Sequence, residues 1–229
     1  MRPCAMGDAA LVRFESIPSF LGLPVGDLED LEVGQIALAG YFCDNLSQPR
    51  PGQRYLARQL RYASQRGDAP ANALDLGDLN VFPLEPEKHI AAVTRQCSLV
   101  LGAGARLVLI GGDASGLASL SRAAEQVMDT KVSVRSLSDQ GSDEATGNKQ
   151  VILSVDLKAL GAAWLSQPRQ LNGLSPAEMI NRIEAVSGEI VAAAVFGLAP
   201  ALDARGDAEL RACLAIVQAV VRRLEEGAA

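Results

Sequence analysis

Short apolar runs alternate along this chain with longer stretches whose apolar residues recur at helical spacing, the pattern of a sheet built with crossover helices. Residues 35–41 (QIALAGY) read as a buried strand, and Pro49, Pro51 and Gly52 then punctuate the chain before a helix over 53–64. A brief strand at 73–76 precedes a helix from Pro86 to about residue 101, its proline tolerated in the first turn because the fixed φ suits that position. Residues 106–110 (RLVLI) form a third strand that ends in Gly111-Gly112 and feeds a helix over 117–127. Two β-branched runs, 131–135 and 151–156, flank the polar stretch 138–150, which reads as a mobile loop.

The last third carries the clearest caps. Ser175-Pro176-Ala177-Glu178 places an N-cap hydroxyl, a proline in the first helical position and a carboxylate able to reach back to the N-cap amide. Met179, Ile180, Ile183 and Val186 follow at helical spacing. Residues 189–196 are continuously apolar after Glu189, as a strand covered on both faces requires. A final helix capped by Asp207 puts Leu210, Cys213, Leu214, Val217, Val221 and Leu224 on one side, so Cys213 reads as core. The expected fold is α/β, a three-layer α-β-α sandwich with a mostly parallel sheet. Residues 20–229 form one domain, with 1–19 as an N-terminal extension.

Composition narrows the chemistry. The 229 residues include a single histidine, His89, which excludes sites needing several imidazoles. With 21 basic and 27 acidic side chains the net charge is −6, so no cationic footprint marks a nucleic-acid or anionic-membrane partner. The four cysteines, Cys4, Cys43, Cys97 and Cys213, are scattered without a CxxC pair, as in a reduced, cytoplasmic protein. The longest apolar run, 190–202, is too short to span a bilayer, and residues 1–15 lack the order of a secretory signal.

Several segments in order resemble the ureohydrolase family of arginases and agmatinases, the agmatinase branch above all. Phe20-Leu21-Gly22-Leu23-Pro24, the first strand, and Arg50-Pro51-Gly52-Gln53-Arg54 are similar to that branch's N-terminal strand and its R-P-G-x-R loop. Arg61-Tyr62-Ala63-Ser64 resembles the end of the following helix, and Asp75-Leu76-Gly77-Asp78-Leu79 a D-x-G-D strand end. Residues 106–115 resemble the strand running into a G-G-D-H-S turn, and 151–160 (VILSVDLKAL) the S-x-D-x-D strand. Asn172-Gly173-Leu174-Ser175 with Glu178 resembles a G-G-L-S/T-x-x-E helix start, and 199–203 (APALD) an N-P-x-x-D turn.

The resemblance implies an arginase-like fold, oligomerisation, and hydrolysis of a guanidinium-type carbon by a hydroxide bridging two manganese ions. The chain departs from the pattern where that chemistry sits. Ala114 stands at the histidine of G-G-D-H, and about 35 residues between the Gly-Gly turn and the Ser-Val-Asp strand leave no room for the usual D-A-H-x-D segment with its insertions. Asp156 is the only matched ligand position, and Lys158 replaces the second aspartate. An ammonium about 4 Å from a divalent ion is repelled by roughly 8 kcal/mol at an effective dielectric of 20. An Asp156–Lys158 ion pair is therefore expected instead, from residues two apart on one strand face. The family's substrate-gripping acid falls near Phe196.

The remaining candidates have plain structural readings beside functional ones. Asp113 is expected to cap a helix or bond within its loop, and Gly111-Gly112, which could cradle a phosphate at the following helix N-terminus, lack the GxGxxG order or Walker lysine of such a site. His89 is expected as a solvated surface residue. Cys43 lies past the carboxyl end of the first strand, where open α/β sheets bind ligands, with no evident base; Ser115 lacks a nucleophile elbow. The leading expectation is a catalytically inactive ureohydrolase-like protein without metal or other cofactor. It acts as a structural or regulatory subunit, as a homo-oligomer or with an active ureohydrolase-like or pathway enzyme. The alternative is a metal-free enzyme or small-molecule-binding protein that uses a remnant pocket with Cys43, Asp113, Ser115, Asp156 and Lys158.

Overall fold

A computed structural model describes residues 18–46, 51–64, 70–138, 150–165, 171–203 and 207–227. The apolar runs form β1 (Ile36–Gly40), β2 (Ala73–Asp78), β3 (Arg106–Ile110), β4 (Ser133–Ser136), β5 (Gln150–Asp156) and β6 (Glu189–Phe196). They lie in one sheet in the order β2-β1-β3-β6-β5-β4, with every adjacent pair parallel. The helices between them are α1 (Leu56–Ala63), α2 (Pro86–Gly102), α3 (Ser115–Met128), α4 (Pro176–Glu184), α5 (Pro200–Asp203) and α6 (Asp207–Glu226).

Strand alternation divides the core into two layers. Ile36, Leu38, Val108, Ile110 and Val195 pack with Leu56 and Leu60 of α1, Met179 and Ile183 of α4, and Ile216 and Val220 of α6. Ala37, Ala39, Leu107, Leu109 and Ala194 point the other way, onto Val93 and Cys97 of α2 and Leu120 and Ala123 of α3. The expected three-layer sandwich is thus present. Cys213 is buried in the α6 layer, as its helical register requires. Residues 1–17 of the expected extension, Cys4 among them, and residues 139–149 of the expected loop lie outside the described residues.

The capping box at Ser175 forms as the sequence predicts, whereas the side chain of Asp207, the expected cap of the last helix, lies outside the described residues. Ser175 Oγ accepts the Glu178 amide at 3.2 Å while Glu178 Oε2 accepts the Ser175 amide at 2.7 Å, fixing the start of α4.

Chain order positions the site. From β1 the chain runs through α1 to β2 on one side, then through α2 to β3 on the other side of β1. Because α1 and α2 cover opposite faces of the sheet, the carboxyl ends of β1 and β3 form its topological switch point.

Candidate functional site

Two backbone segments meet at this switch point: residues 41–45 after β1 and 111–115 after β3. The Tyr41 amide donates to Ile110 O at 2.8 Å and the Asp113 amide to Cys43 O at 3.0 Å. Gly111 donates to Val195 O at 2.8 Å and Gly112 to Gln53 O at 3.1 Å. With the amides of residues 111–113 directed to carbonyls of the protein, this turn is a structural junction and presents no open cradle for a phosphate. Gly112 has φ +67°, and a Cβ there would lie 2.3 Å from Tyr41 Cδ1 and 2.5 Å from Cys43 O. Only glycine fits beneath the tyrosine ring.

Tyr41, fully buried, is the hub of a side-chain chain through this junction. Its Oη lies 2.6 Å from His89 Nε2 and 2.6 Å from Ser115 Oγ, and Ser115 Oγ bonds in turn to Asp113 Oδ1. The direction of the chain is fixed at its inner end, because the Phe82 amide donates to His89 Nδ1 at 3.2 Å. The ring proton therefore sits on Nε2 and is donated to Tyr41, Tyr41 donates to Ser115, and Ser115 donates to the carboxylate. Asp113 also takes the Ser115 amide on Oδ1 and the Leu46 amide on Oδ2, each at 3.0 Å. Burial pushes the Tyr41 hydroxyl far above its ordinary range. Burial pushes the His89 imidazole down against the opposing charge of Asp113, so the ring stays neutral near pH 7.

The expectation of a solvated His89 is corrected: the side chain is fully buried. His89 falls four residues before Val93 and eight before Cys97, on the buried stripe of α2. The helical spacing already contained that signal, and the charged neighbours at positions 85–88 obscured it.

Cys43 and Asp44 lie beside the chain. Cys43 is buried and its thiol donates to Asn45 Oδ1 at 3.1 Å; burial raises its pKa, which disfavours a thiolate nucleophile. Asp44 is buried too, and burial alone would raise its pKa. The Arg54 side chain, with Nε at 2.8 Å and Nη2 at 2.6 Å from Oδ1, and the Gly52 amide on Oδ2 at 2.7 Å bring it below the usual carboxylate range.

Asp156 and Lys158 stand farther along the same carboxyl edge, at and beyond the end of β5. The expected ion pair across one strand face is corrected, because β5 ends at Asp156 and Lys158 sits in a 3-10 turn, Leu157–Ala159. The contact formed between them is the Lys158 backbone amide donating to Asp156 Oδ1 at 3.0 Å. A Cβ on Gly197 would lie 2.3 Å from Asp156 Oδ1 and 3.2 Å from Lys158 Cε, so both side chains pack over the end of β6. The Gly197 amide donates to Gly112 O at 3.2 Å and joins this end of the edge to the Tyr41 junction. At the far side of β5, β4 ends in Ser136, whose Oγ meets Ser138 Oγ at 2.8 Å.

A polar cluster that the sequence reading did not assign lies under the amino-terminal segment. Arg61 of α1 reaches Asp75, Asp78 and the carbonyl of Gly77, and stacks 4.2 Å from the centroid of the Phe20 ring. Asp75 also accepts the amides of Phe20 and Gly77, at 2.8 and 2.9 Å. The D-x-G-D strand end is thereby committed to holding α1 and the entering chain against β2.

Among the described residues, no three His, Cys, Asp or Glu side chains gather as a group able to hold a metal ion, and no helix is long and apolar enough to cross a membrane.

Residues 34–138 match the model of the Arginase family. The chain is similar in structure to proclavaminate amidino hydrolase from Streptomyces clavuligerus, with a TM-score of 0.76 and 17% identity over 94% of this chain and 99% of that one. It is also similar to a hypothetical agmatinase from Burkholderia thailandensis (TM-score 0.76, 17% identity, 93% and 92% covered). Formimidoylglutamase from Bacillus subtilis subsp. subtilis str. 168 gives a TM-score of 0.77 at 13% identity over 97% of this chain and 99% of that chain. The chain has no significant match among curated protein sequences. The fold is that of the arginase-like α/β proteins.

Proposed function

We propose that this chain is a ureohydrolase-family protein that has given up metal-dependent hydrolysis and acts by association, as a structural or regulatory subunit in the cytoplasm. Its partner is a second copy or an active ureohydrolase-like or pathway enzyme. The observation that carries this reading is the hydrogen-bond chain from His89 through Tyr41 and Ser115 to Asp113, at the switch point where the resemblance places metal chemistry. The donors here are turned toward one another, and a ring fills the space beneath Gly112. The residues present do not fit a dinuclear manganese centre: Asp156 is the one matched position, while Ala114 and Lys158 occupy two of the others. A raised Cys43 pKa weighs in the same direction, against a thiolate reaction replacing the lost one.

The test is native mass spectrometry, with elemental analysis of the same sample, on protein purified from its own cell and then dialysed against manganese. Expected are an oligomer or a stoichiometric partner complex, well under one manganese per chain, and no urea from arginine, agmatine or guanidinobutyrate. About two metal ions per chain, or urea release, overturns the loss of hydrolysis; a monomer with no partner overturns the subunit role.

A further inference from the structure

We propose that His89 is a pH-sensitive latch that holds residues 81–85 against the switch point and releases them when the ring takes up a proton. Two bonds tie this stretch to the switch point: the Phe82 amide to His89 Nδ1 at 3.2 Å, and Asn45 Nδ2 to Pro83 O at 3.0 Å. On the amino-terminal side, Asn80 is fixed separately by two bonds with Gln96 of α2, at 2.8 and 2.9 Å. The length between these fixed points is therefore 81–85, bounded by Asn80 and the start of α2, with Val81 half-buried against the α2–α3 core layer as the hinge. Within it Leu84 is 91% exposed and has no packing of its own to hold the stretch down.

The geometry makes the latch sensitive to one proton. A second proton on the ring has to go on Nδ1, where it faces the Phe82 N–H, donor against donor. Tyr41 can still accept from Nε2, so the rest of the chain survives and the conflict falls on the backbone of residue 82. The groups around the ring do not remove it. Tyr41, just past β1, and the Cys43 thiol are uncharged, and Asp113, beyond Ser115, is the negative charge that favours the protonated ring. Lys88 stacks 4.2 Å from the centre of the Phe82 ring and is paired with Glu85 at 3.1 Å, a balanced pair outside the buried ring. Relief comes when 81–85 swings away and Nδ1–H reaches water. Between the proton affinities of the closed and open states, the open fraction rises tenfold for each unit of falling pH.

The chain has one histidine, so the ring can be read without assignment. In imidazole-15N-labelled protein, the Nε2–H tautomer is expected at pH 7.5, with a titration midpoint below the ordinary value of about 6.5. The Phe82 amide shift should follow the same midpoint, and exchange protection over 81–85, corrected for intrinsic rates, should fall about tenfold per pH unit below 6.5 while β1 and β3 stay protected. His89→Gln should flatten that dependence, and Phe82→Pro, which removes the amide hydrogen, should move the His89 midpoint upward. An Nδ1–H tautomer, a Phe82 amide indifferent to the His89 titration, or unchanged protection over 81–85 from pH 7.5 to 5.5 overturns the latch. The wild-type measurements decide it even if a variant fails to fold.

Discussion

Arg61 grips Asp75 with two nearly parallel hydrogen bonds, Nε to Oδ2 at 2.9 Å and Nη2 to Oδ1 at 3.0 Å, and the two side chains are 9% and 1% exposed. A buried pair of this kind adds little over a well-packed apolar substitute, but removing one partner strands a charge and costs about 3–5 kcal/mol. Asp75→Asn and Arg61→Met are each expected to lose stability in that range by urea unfolding. Arg61→Lys should recover little, because an ammonium cannot span both carboxylate oxygens while also reaching Asp78 and Gly77 O. A loss under about 1 kcal/mol in Asp75→Asn would show that Phe20 and the amino-terminal segment are held by other contacts.

Gly112 and Tyr41 set a steric condition on the junction. The Cβ of Gly112→Ala would lie 2.3 Å from the ring and 2.5 Å from a backbone carbonyl, at a left-handed φ of +67°. Neither the ring, bonded at its hydroxyl, nor the carbonyl, which accepts the Asp113 amide, can move cheaply. Gly112→Ala should destabilise by about 2–4 kcal/mol in thermal or denaturant unfolding. Gly34→Ala, with a similar positive φ of +81° but nothing within 4 Å, isolates the backbone share and should cost about 1 kcal/mol. Equal losses in the two variants would remove the steric argument.

Much of the fold was readable because its signals are local. β3 at 106–110 and β6 at 189–196 lie where apolar runs and flanking turns put them, and α4 begins at a cap written into four consecutive residues. The site was less legible because its partners are distant in sequence. Tyr41 meets His89 and Ser115 across 48 and 74 residues, and Arg61 meets Asp75 only once α1 has folded onto β2. Lys158 failed for a different reason. Period-two reasoning holds only while a strand continues, and nothing in VILSVDLKAL marks Asp156 as its last residue.

Cys97 gives a thiol that reports global opening. It is fully buried on the α2 face, and burial pushes its pKa up to about 12. At pH 8 the thiolate fraction is negligible and no reagent reaches the sulfur. Iodoacetamide labelling followed by peptide mass spectrometry should therefore leave Cys97 unmodified in the native protein and modify it at the rate of unfolding in urea. Rapid native labelling would mean that α2 and α3 separate far more readily than their packing implies.

The start of α4 should carry a measurable acid dependence. Glu178 is held below the usual carboxylate range first by the Ser175 amide and then by the Ser175 hydroxyl. A carboxyl whose folded pKa is depressed contributes stability that is complete above its unfolded value, near 4.5, and is lost as the pH falls through the folded value. Below pH 4.5 the native protein should therefore lose this increment, whereas Glu178→Gln, which keeps an acceptor for the Ser175 amide, should not. Ser175→Ala removes the hydroxyl that accepts the Glu178 amide and should cost about 1 kcal/mol at pH 7. Urea midpoints at pH 7, 5 and 4 for the three proteins provide the check. A Glu178→Gln curve parallel to the wild type through that window would place the acid sensitivity elsewhere in the chain.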